Sequence, residues 1–277
     1  MFKKLIWYLS SKTLPFKGKE RIISLITRPN KNYYNKILRN GVYWSLYGKD
    51  LIEFSIAVRN INSNHVYNYL SEYIESRNIR VLWDIGANIG SISLPLLKKF
   101  NKLKSVMFEP NPEVCGRLIR NLHNNPTLVS QSIIMNIALL NINKFIAFYI
   151  PINEENSGIG GIIGGNDRNI YPLTVQSDYG DQLIEKNICP IPELIKIDVE
   201  GSEYEVLEGM KNTLQKYKPS IIFENNIVRL KENSHSKDKI IKFLQSLNYT
   251  IYKLPEKKKI NSHESENIED FIAEYKN

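Results

Sequence analysis

The stretch VLWDIGANIG, residues 81–90, decides the fold of this chain. It starts as an apolar strand and ends that strand in an acid, Asp84. Glycines follow at positions 86 and 90, and an apolar helical run occupies residues 91–100. Glycine lets the backbone turn sharply and lets a ligand approach with no Cβ atom in the way. A strand, a glycine turn and a helix in this order predict a nucleotide pocket in an α/β fold, although a plain turn can show the same pattern.

The spacing of polar residues around this turn favours one class of cofactor. A dinucleotide fold needs three glycines to seat a pyrophosphate, whereas only two stand here. The acid at Asp84 suits a ligand with an ammonium group, and S-adenosylmethionine carries one. A second predicted strand, residues 104–108, ends at Glu109. An acid there is placed to accept both ribose hydroxyls of an adenosine ligand, or it is a solvated strand end. Asn111 and Pro112 are predicted to start the next helix.

The positive charge of the chain is concentrated at its N-terminus. The 277 residues carry a net charge of +8. Residues 1–39 contain ten Lys or Arg and one acid, a net +9, so the rest of the chain carries −1. This segment either lies on an anionic membrane surface or is a solvated tail. Its apolar run, residues 5–9, is too short for a membrane span or a signal peptide. We therefore expect a cytoplasmic protein, with peripheral contact at the inner face of the membrane as one interpretation.

The order of the predicted elements indicates an α/β fold. From residue 79 onward strands alternate with helices, which predicts a mostly parallel sheet with helices on both faces. We expect residues 79–277 to form this domain and residues 1–78 to form an α+β accessory segment that packs on it as a lid. Within residues 1–78 the pattern predicts short basic helices over 1–40 and strands over 42–58.

Two later segments leave alternatives open. Residues 151–169 are glycine rich and too long for an ordinary connector, so they form either a mobile active-site loop or a disordered stretch. Residues 268–275 form either an antiparallel closing strand or a helix.

Acids crowd the end of a later predicted strand. The stretch LIKIDVEGSE, residues 194–203, places Asp198, Glu200 and Glu203 directly after that strand. Ligands of open α/β sheets bind beyond the carboxyl ends of the strands, so we expect these acids beside the cofactor pocket. Asp198 and Glu200 are the candidate catalytic residues. Glu203 fits better as a favourable charge at a helix N-terminus.

The next predicted strand ends in Glu224 and Asn225. Together with Asp198 these residues offer oxygen ligands suited to Mg²⁺, which would hold a substrate diol and lower the pKa of one hydroxyl. Two alternatives stand beside the metal site. Asp198 could act as a simple general base, and Glu224 could hydrogen-bond the substrate directly.

Five motifs, in this order and spacing, resemble the FkbM-type methyltransferases. They are DIGANIG at 84–90, FEPNP at 108–112, NIAL at 136–139, LIKIDVEGSE at 194–203 and KPSIIFE at 218–224. The resemblance implies a class I methyltransferase fold that uses S-adenosylmethionine and methylates hydroxyls of sugars or polyketide-derived products. It also implies a set of residues that line the cofactor site, the last two of them near the adenine: Asp84, Gly86, Asn88, Gly90, Glu109, Asn111, Asn136 and Ala138.

We therefore predict an O-methyltransferase whose acceptor is a hydroxylated small molecule or a glycan. Such an enzyme must align the acceptor and make its hydroxyl nucleophilic. One alternative is methylation of a protein or a nucleic acid. A nucleic-acid acceptor is disfavoured because the strand before Asp198 continues as IDVEGSE and lacks the Asn/Asp-Pro-Pro-aromatic signature. The other alternative is a non-catalytic protein that binds membranes or polyanions through its basic N-terminus.

Overall fold

A mostly parallel sheet organises the described part of the protein, which in this computed structural model comprises residues 33–47, 50–58, 64–151, 160–162, 170–225, 237–260 and 269–276. The strands are β1 Tyr33–Arg39, β2 Val42–Tyr47, β3 Val81–Ile85, β4 Lys104–Phe108, β5 Ser132–Met135, β6 Ala138–Leu139, β7 Phe145–Pro151, β8 Ile170–Asp178, β9 Leu194–Ile197, β10 Ser220–Asn225, β11 Tyr249–Lys253, β12 Lys258–Lys259 and β13 Glu269–Tyr275. The helices are α1 Leu51–Val58, α2 His65–Arg77, α3 Ser93–Lys99, α4 Pro112–His123, α5 Gly180–Glu185, α6 Glu203–Glu208, α7 Lys211–Tyr217 and α8 Lys237–Ser246, with a 3₁₀ helix at Pro126–Gln131.

The strand order of the large sheet is β12-β11-β13-β10-β9-β3-β4-β5. Strands β10, β9, β3, β4 and β5 run parallel, and β13 pairs antiparallel with both β10 and β11. This arrangement confirms the predicted α/β fold with a mostly parallel sheet. It also settles the last segment, which forms an antiparallel strand and not a helix.

Helices cover both faces of this sheet, as the alternation of strands and helices predicted. On one face, sheet residues such as Leu82 and Ile222 pack in a single apolar cluster with residues of α2, α3 and α4. On the other face, residues such as Trp83 and Phe223 pack with residues of α6, α7 and α8. Because successive residues of a strand point to opposite faces, each buried strand contributes to both clusters.

The accessory segment departs from the prediction at two places. Residues 33–39 form strand β1 where helices were predicted, and a turn at Asn40 and Gly41, both with positive φ (54° and 75°), joins it to β2. Residues 51–58 form helix α1 where a strand was predicted. The Asp50 carboxylate accepts hydrogen bonds from the backbone N–H groups of Ile52 and Glu53 and so starts the helix.

The accessory segment docks on α4 through side-chain amides. Asn125 accepts a hydrogen bond from Tyr43 N (2.9 Å) and donates one to Tyr43 O (2.8 Å), and Asn121 accepts one from Ser45 N (2.8 Å). These two amides lie four residues apart, one within α4 and one just after it. They bind backbone groups of β2 as a neighbouring strand would.

Several sequence expectations fall outside the described residues. Residues 1–32 do, so membrane contact through residues 1–39 stays a prediction. Most of the glycine-rich stretch also does, except that Gly161 forms a backbone bridge with Tyr149. Among the helices of the described residues, none is both long and apolar enough to cross a bilayer.

Candidate functional site

The turn after β3 requires its two glycines. Gly86 has φ of +79°, and a Cβ atom there would lie 1.8 Å from the backbone oxygen of Asp198. Gly90 has φ of +85°, and its Cβ atom would lie 2.7 Å from Leu118. Asn88 also has a positive φ (51°), and its side-chain oxygen accepts a hydrogen bond from the next backbone N–H. The turn therefore brings the ends of β3 and β9 into direct contact.

Glu109, at the end of β4, faces this turn. One carboxylate oxygen accepts from the backbone N–H of Asn88 and the other from that of Asn111, each at 2.9 Å. Burial raises the pKa of Glu109 to about 7, although the two backbone hydrogen bonds oppose this shift. Asn111 caps α4 as predicted, because its side-chain oxygen accepts from Glu113 N at 3.0 Å. The carboxylate is thus fixed at the edge of the predicted cofactor site.

An apolar pocket lies beside Glu109. Its lining is almost entirely apolar. Ala138 lines it together with Phe108, Pro110 and Phe148. Asn136 borders the same region, where its amide donates to the backbone oxygen of Glu109 at 2.7 Å. The structure thus brings Glu109, Asn136 and Ala138, three of the predicted cofactor residues, to the same edge of the sheet.

Asp84 is completely buried (0% exposed) and faces protein groups. Ser93 Oγ donates to its Oδ2 at 2.6 Å, and Lys196 Nζ lies 3.2 Å from its Oδ1. Direct contact between Asp84 and the ammonium group of a cofactor stays a prediction.

Lys196 is a charged residue of this site that the sequence did not lead us to predict. It projects from the middle of strand β9, and its Nζ lies 3.2 Å from both Asp84 and Asp198. Burial acts to lower the pKa of Lys196, but the two carboxylates more than offset it and the net pKa is raised. A lysine within a buried apolar strand is almost always paired with an acid, so its position in the sequence indicates a buried ion pair.

Asp198 is the exposed end of this ion-pair chain. Its side chain is 39% exposed, and it shares a hydrogen bond with Glu224 on the neighbouring strand. Burial raises the pKa of Glu224 to about 9, and the charges of Asp198, Asp270 and Glu200 add to the shift. The surroundings of Glu224 thus favour its protonated form, in which it can donate to the shared hydrogen bond.

The predicted Mg²⁺ site fits these residues poorly on electrostatic grounds. The Lys196 ammonium lies 3.2 Å from Asp198, and it would repel a divalent cation bound to the same carboxylate. Within the described residues, no group of three or more His, Cys, Asp or Glu side chains could hold a metal ion. The backbone of Asn225 pairs with Glu269 at the end of β10. Metal binding by Asp198, Glu224 and Asn225 stays a prediction.

The remaining two acids differ in their surroundings. Glu200 has a positive φ (54°) and is half-buried, and its catalytic role stays a prediction. Glu203 begins α6, where its buried carboxylate accepts from Gly201 N at 3.1 Å. Burial raises the pKa of Glu203 to about 7.

A comparison with known families identifies the family of this chain. The profile of the Methyltransferase FkbM domain matches residues 84–251. The chain belongs to this family. The match confirms the resemblance that the five motifs indicated, and it includes the turn, Glu109, the apolar pocket and Asp198.

Three individual proteins that resemble this FkbM-family chain share about a third or fewer of their residues with it over the matched region. Hexuronic acid methyltransferase AglP of Haloferax volcanii is 35% identical over 142 residues, which are 51% of this chain and 54% of that protein. The matched region thus spans about half the length of this curated relative. The methyltransferase FkbM from Methylobacillus flagellatus KT has a TM-score of 0.46 at 13% identity, covering 99% of this chain and 59% of that one. The Podospora anserina methyltransferase PaMTH1 has a TM-score of 0.47 at 12% identity, covering 96% and 99%.

Proposed function

We propose that this chain is an S-adenosylmethionine-dependent O-methyltransferase that acts on a hydroxyl of a sugar, a glycan or a related metabolite. The observation that carries the proposal is a single continuous site at the carboxyl edge of the sheet. The glycine turn, Glu109 and the apolar pocket form one part of it, and Asp198 opens to solvent next to Gly86. Family membership and the relative named as a hexuronic acid methyltransferase support a sugar acceptor.

The cofactor part of the site offers a separate group for each part of the ligand. The apolar pocket lined by Ala138 would hold the adenine, and the Glu109 carboxylate would accept from the ribose hydroxyls. The backbone at Gly86, which carries no side chain, would lie against the amino-acid end of S-adenosylmethionine. When bound, S-adenosylmethionine supplies a methyl group on an already activated sulfonium.

The acceptor part of the site can remove a proton. In the proposed reaction the acceptor O–H bond would break and its proton would pass to Asp198. The oxygen would form the new bond to the methyl carbon as the bond from that carbon to sulfur breaks, and the sulfur would keep the electron pair. Lys196 holds the Asp198 carboxylate in place, and Glu224 donates a hydrogen bond to it. Asp198 would thus serve as the general base, on the solvent side of the glycine turn.

Replacing Glu109 with glutamine is expected to weaken binding of S-adenosylhomocysteine by about 1–3 kcal/mol at pH 8, because hydrogen bonds from the ribose to a charged acceptor are lost. In the wild type, affinity should fall as the pH is lowered below about 7, since the pKa of Glu109 is raised to about 7 and ribose donors favour the ionised form. Calorimetry at pH 6 and pH 8 measures both effects.

Glu113→Gln is the matched control, because Glu113 is a nearby glutamate at the second position of α4 and its side chain is 63% exposed. It should bind like the wild type. If Glu109→Gln and the wild type bind S-adenosylhomocysteine equally well at pH 8, Glu109 does not contact the cofactor. Absence of S-adenosylhomocysteine binding by the wild-type protein would contradict the proposed function.

A further inference from the structure

We infer that His65 and Asp270 form a pair that contacts the acceptor and helps to select it. The inference rests on the proposed function and extends it to residues outside the matched motifs. His65 is the first residue of α2, and Asp270 lies on β13, 205 residues later. The His65 Nε2 and Asp270 Oδ2 atoms are 2.5 Å apart.

The strand register places this pair beside the candidate base. Glu224 on β10 lies directly opposite Asp270 on β13. Side chains that face each other across two antiparallel strands project from the same face of the sheet. The polar side chains of Asp198, Glu224 and Asp270 therefore extend across three neighbouring strands, away from the cofactor pocket. His65 closes the far end of this row.

The chemistry of the pair suits a hydroxylated ligand. A carboxylate only accepts hydrogen bonds, so in the neutral imidazole the pairing puts the proton on Nε2 and leaves Nδ1 as an acceptor. The His65 side chain is 56% exposed, whereas that of Asp270 is 18% exposed. An exposed imidazole held in one orientation by a less exposed carboxylate can accept a hydrogen bond from a ligand hydroxyl.

Docking of α2 does not depend on this pair. Tyr73 OH donates to Glu274 Oε1 at 2.9 Å and shares a hydrogen bond with Ser220 Oγ at 2.7 Å. Arg77 also lies 3.4 Å from Glu274. These contacts also tie the same helix to β10 and β13, so α2 keeps anchors on both strands when His65 is replaced.

The position of His65 predicts an effect on acceptor binding and little effect on the transfer step. Neighbouring strands lie about 4.8 Å apart, so Asp198 and Asp270, two strands apart, are separated by roughly 10 Å. A ligand hydroxyl at His65 therefore belongs to a part of the acceptor remote from the reacting oxygen. Loss of that contact should raise the KM for the acceptor more than it lowers kcat.

The test uses the full chain saturated with S-adenosylhomocysteine and a panel of three probes: cellobiose, methyl glucoside and glucuronic acid. We expect at least one probe to shift the NMR signals of the His65 ring in a saturable way. In Asp270→Asn the probe affinity should fall at least fivefold, because the ring loses the partner that fixes its proton on Nε2. With S-adenosylmethionine, His65→Ala should raise the KM of that probe at least fivefold with less than a twofold change in kcat.

His123→Ala, which removes an exposed histidine at the end of α4, is the matched control and should leave both constants unchanged. Three outcomes would overturn the inference: no shift of His65 with any probe, an equal shift of His123, or an unchanged KM in His65→Ala. The first two are measured on the wild type and do not depend on folding of a variant. S-adenosylhomocysteine binding, recorded first, separates these outcomes from failure of the proposed function.

Discussion

Replacing Lys196 with methionine is expected to lower the free energy of unfolding by about 3–5 kcal/mol, because it leaves the buried Asp84 carboxylate without its positive partner. Methionine fills nearly the same space as the lysine stem, so an added cavity contributes little. Urea unfolding should show a lower midpoint with an unchanged slope.

Two further variants test the cause of this loss. Lys98→Met removes an exposed lysine near the end of α3 and should change the free energy of unfolding by no more than about 0.5 kcal/mol. Adding Asp84→Asn to Lys196→Met removes the unpaired charge and should restore part of the stability. A loss below about 1 kcal/mol in Lys196→Met would mean that solvent reaches Asp84 and that the ion pair is not essential.

Asp198→Asn is expected to lower kcat by about 10²-fold or more while leaving S-adenosylhomocysteine affinity within about twofold of wild type. The amide keeps the shape of the side chain but cannot take a proton from the acceptor. Chelator should not change the wild-type rate, because Lys196 already supplies the positive charge beside Asp198. Steady-state kinetics on an acceptor that the wild type methylates measures both.

A different result would redirect the mechanism. Loss of turnover in chelator, restored by Mg²⁺, would favour the metal site first predicted for Asp198, Glu224 and Asn225. A wild-type rate in Asp198→Asn would leave alignment of the acceptor as the main source of catalysis.

The parts of the site that could be predicted from the sequence depend on local patterns. The glycine turn and Glu109 follow directly from strand ends and their spacing, and the order of elements indicates the parallel sheet. Asn111 was assigned as a helix cap because capping is decided within a few residues. Each of these residues is positioned by contacts with residues nearby in the chain or on the adjacent strand.

The parts that could not be predicted depend on contacts between distant residues. Helix α1 has the β-branched and aromatic composition of a strand, but Glu53 pairs with Arg117, 64 residues away, at 2.6 Å. That buried ion pair and the Asp50 cap outweigh a strand propensity worth at most about 1 kcal/mol. The partners of Lys196 come from two different strand ends, and the partner of His65 lies 205 residues further along the chain.

The side-chain amides that hold β2 also set an order of events during synthesis. Asn121 and Asn125 lie 76 and 82 residues after the backbone groups they bind. A ribosome adds about 5–20 residues per second, so roughly 4–16 s pass between emergence of the hairpin and emergence of its partner. Through that interval Trp44 and Leu46, both buried in the finished protein, have no α4 to cover them.

We therefore expect residues 33–58 of a nascent chain to be cut by a brief pulse of protease until α4 has left the ribosome, and to resist it afterwards. Chains stalled before and after that point provide the comparison. Equal resistance in both would mean that the hairpin folds without its partner helix. A segment that is made early is thus expected to fold late.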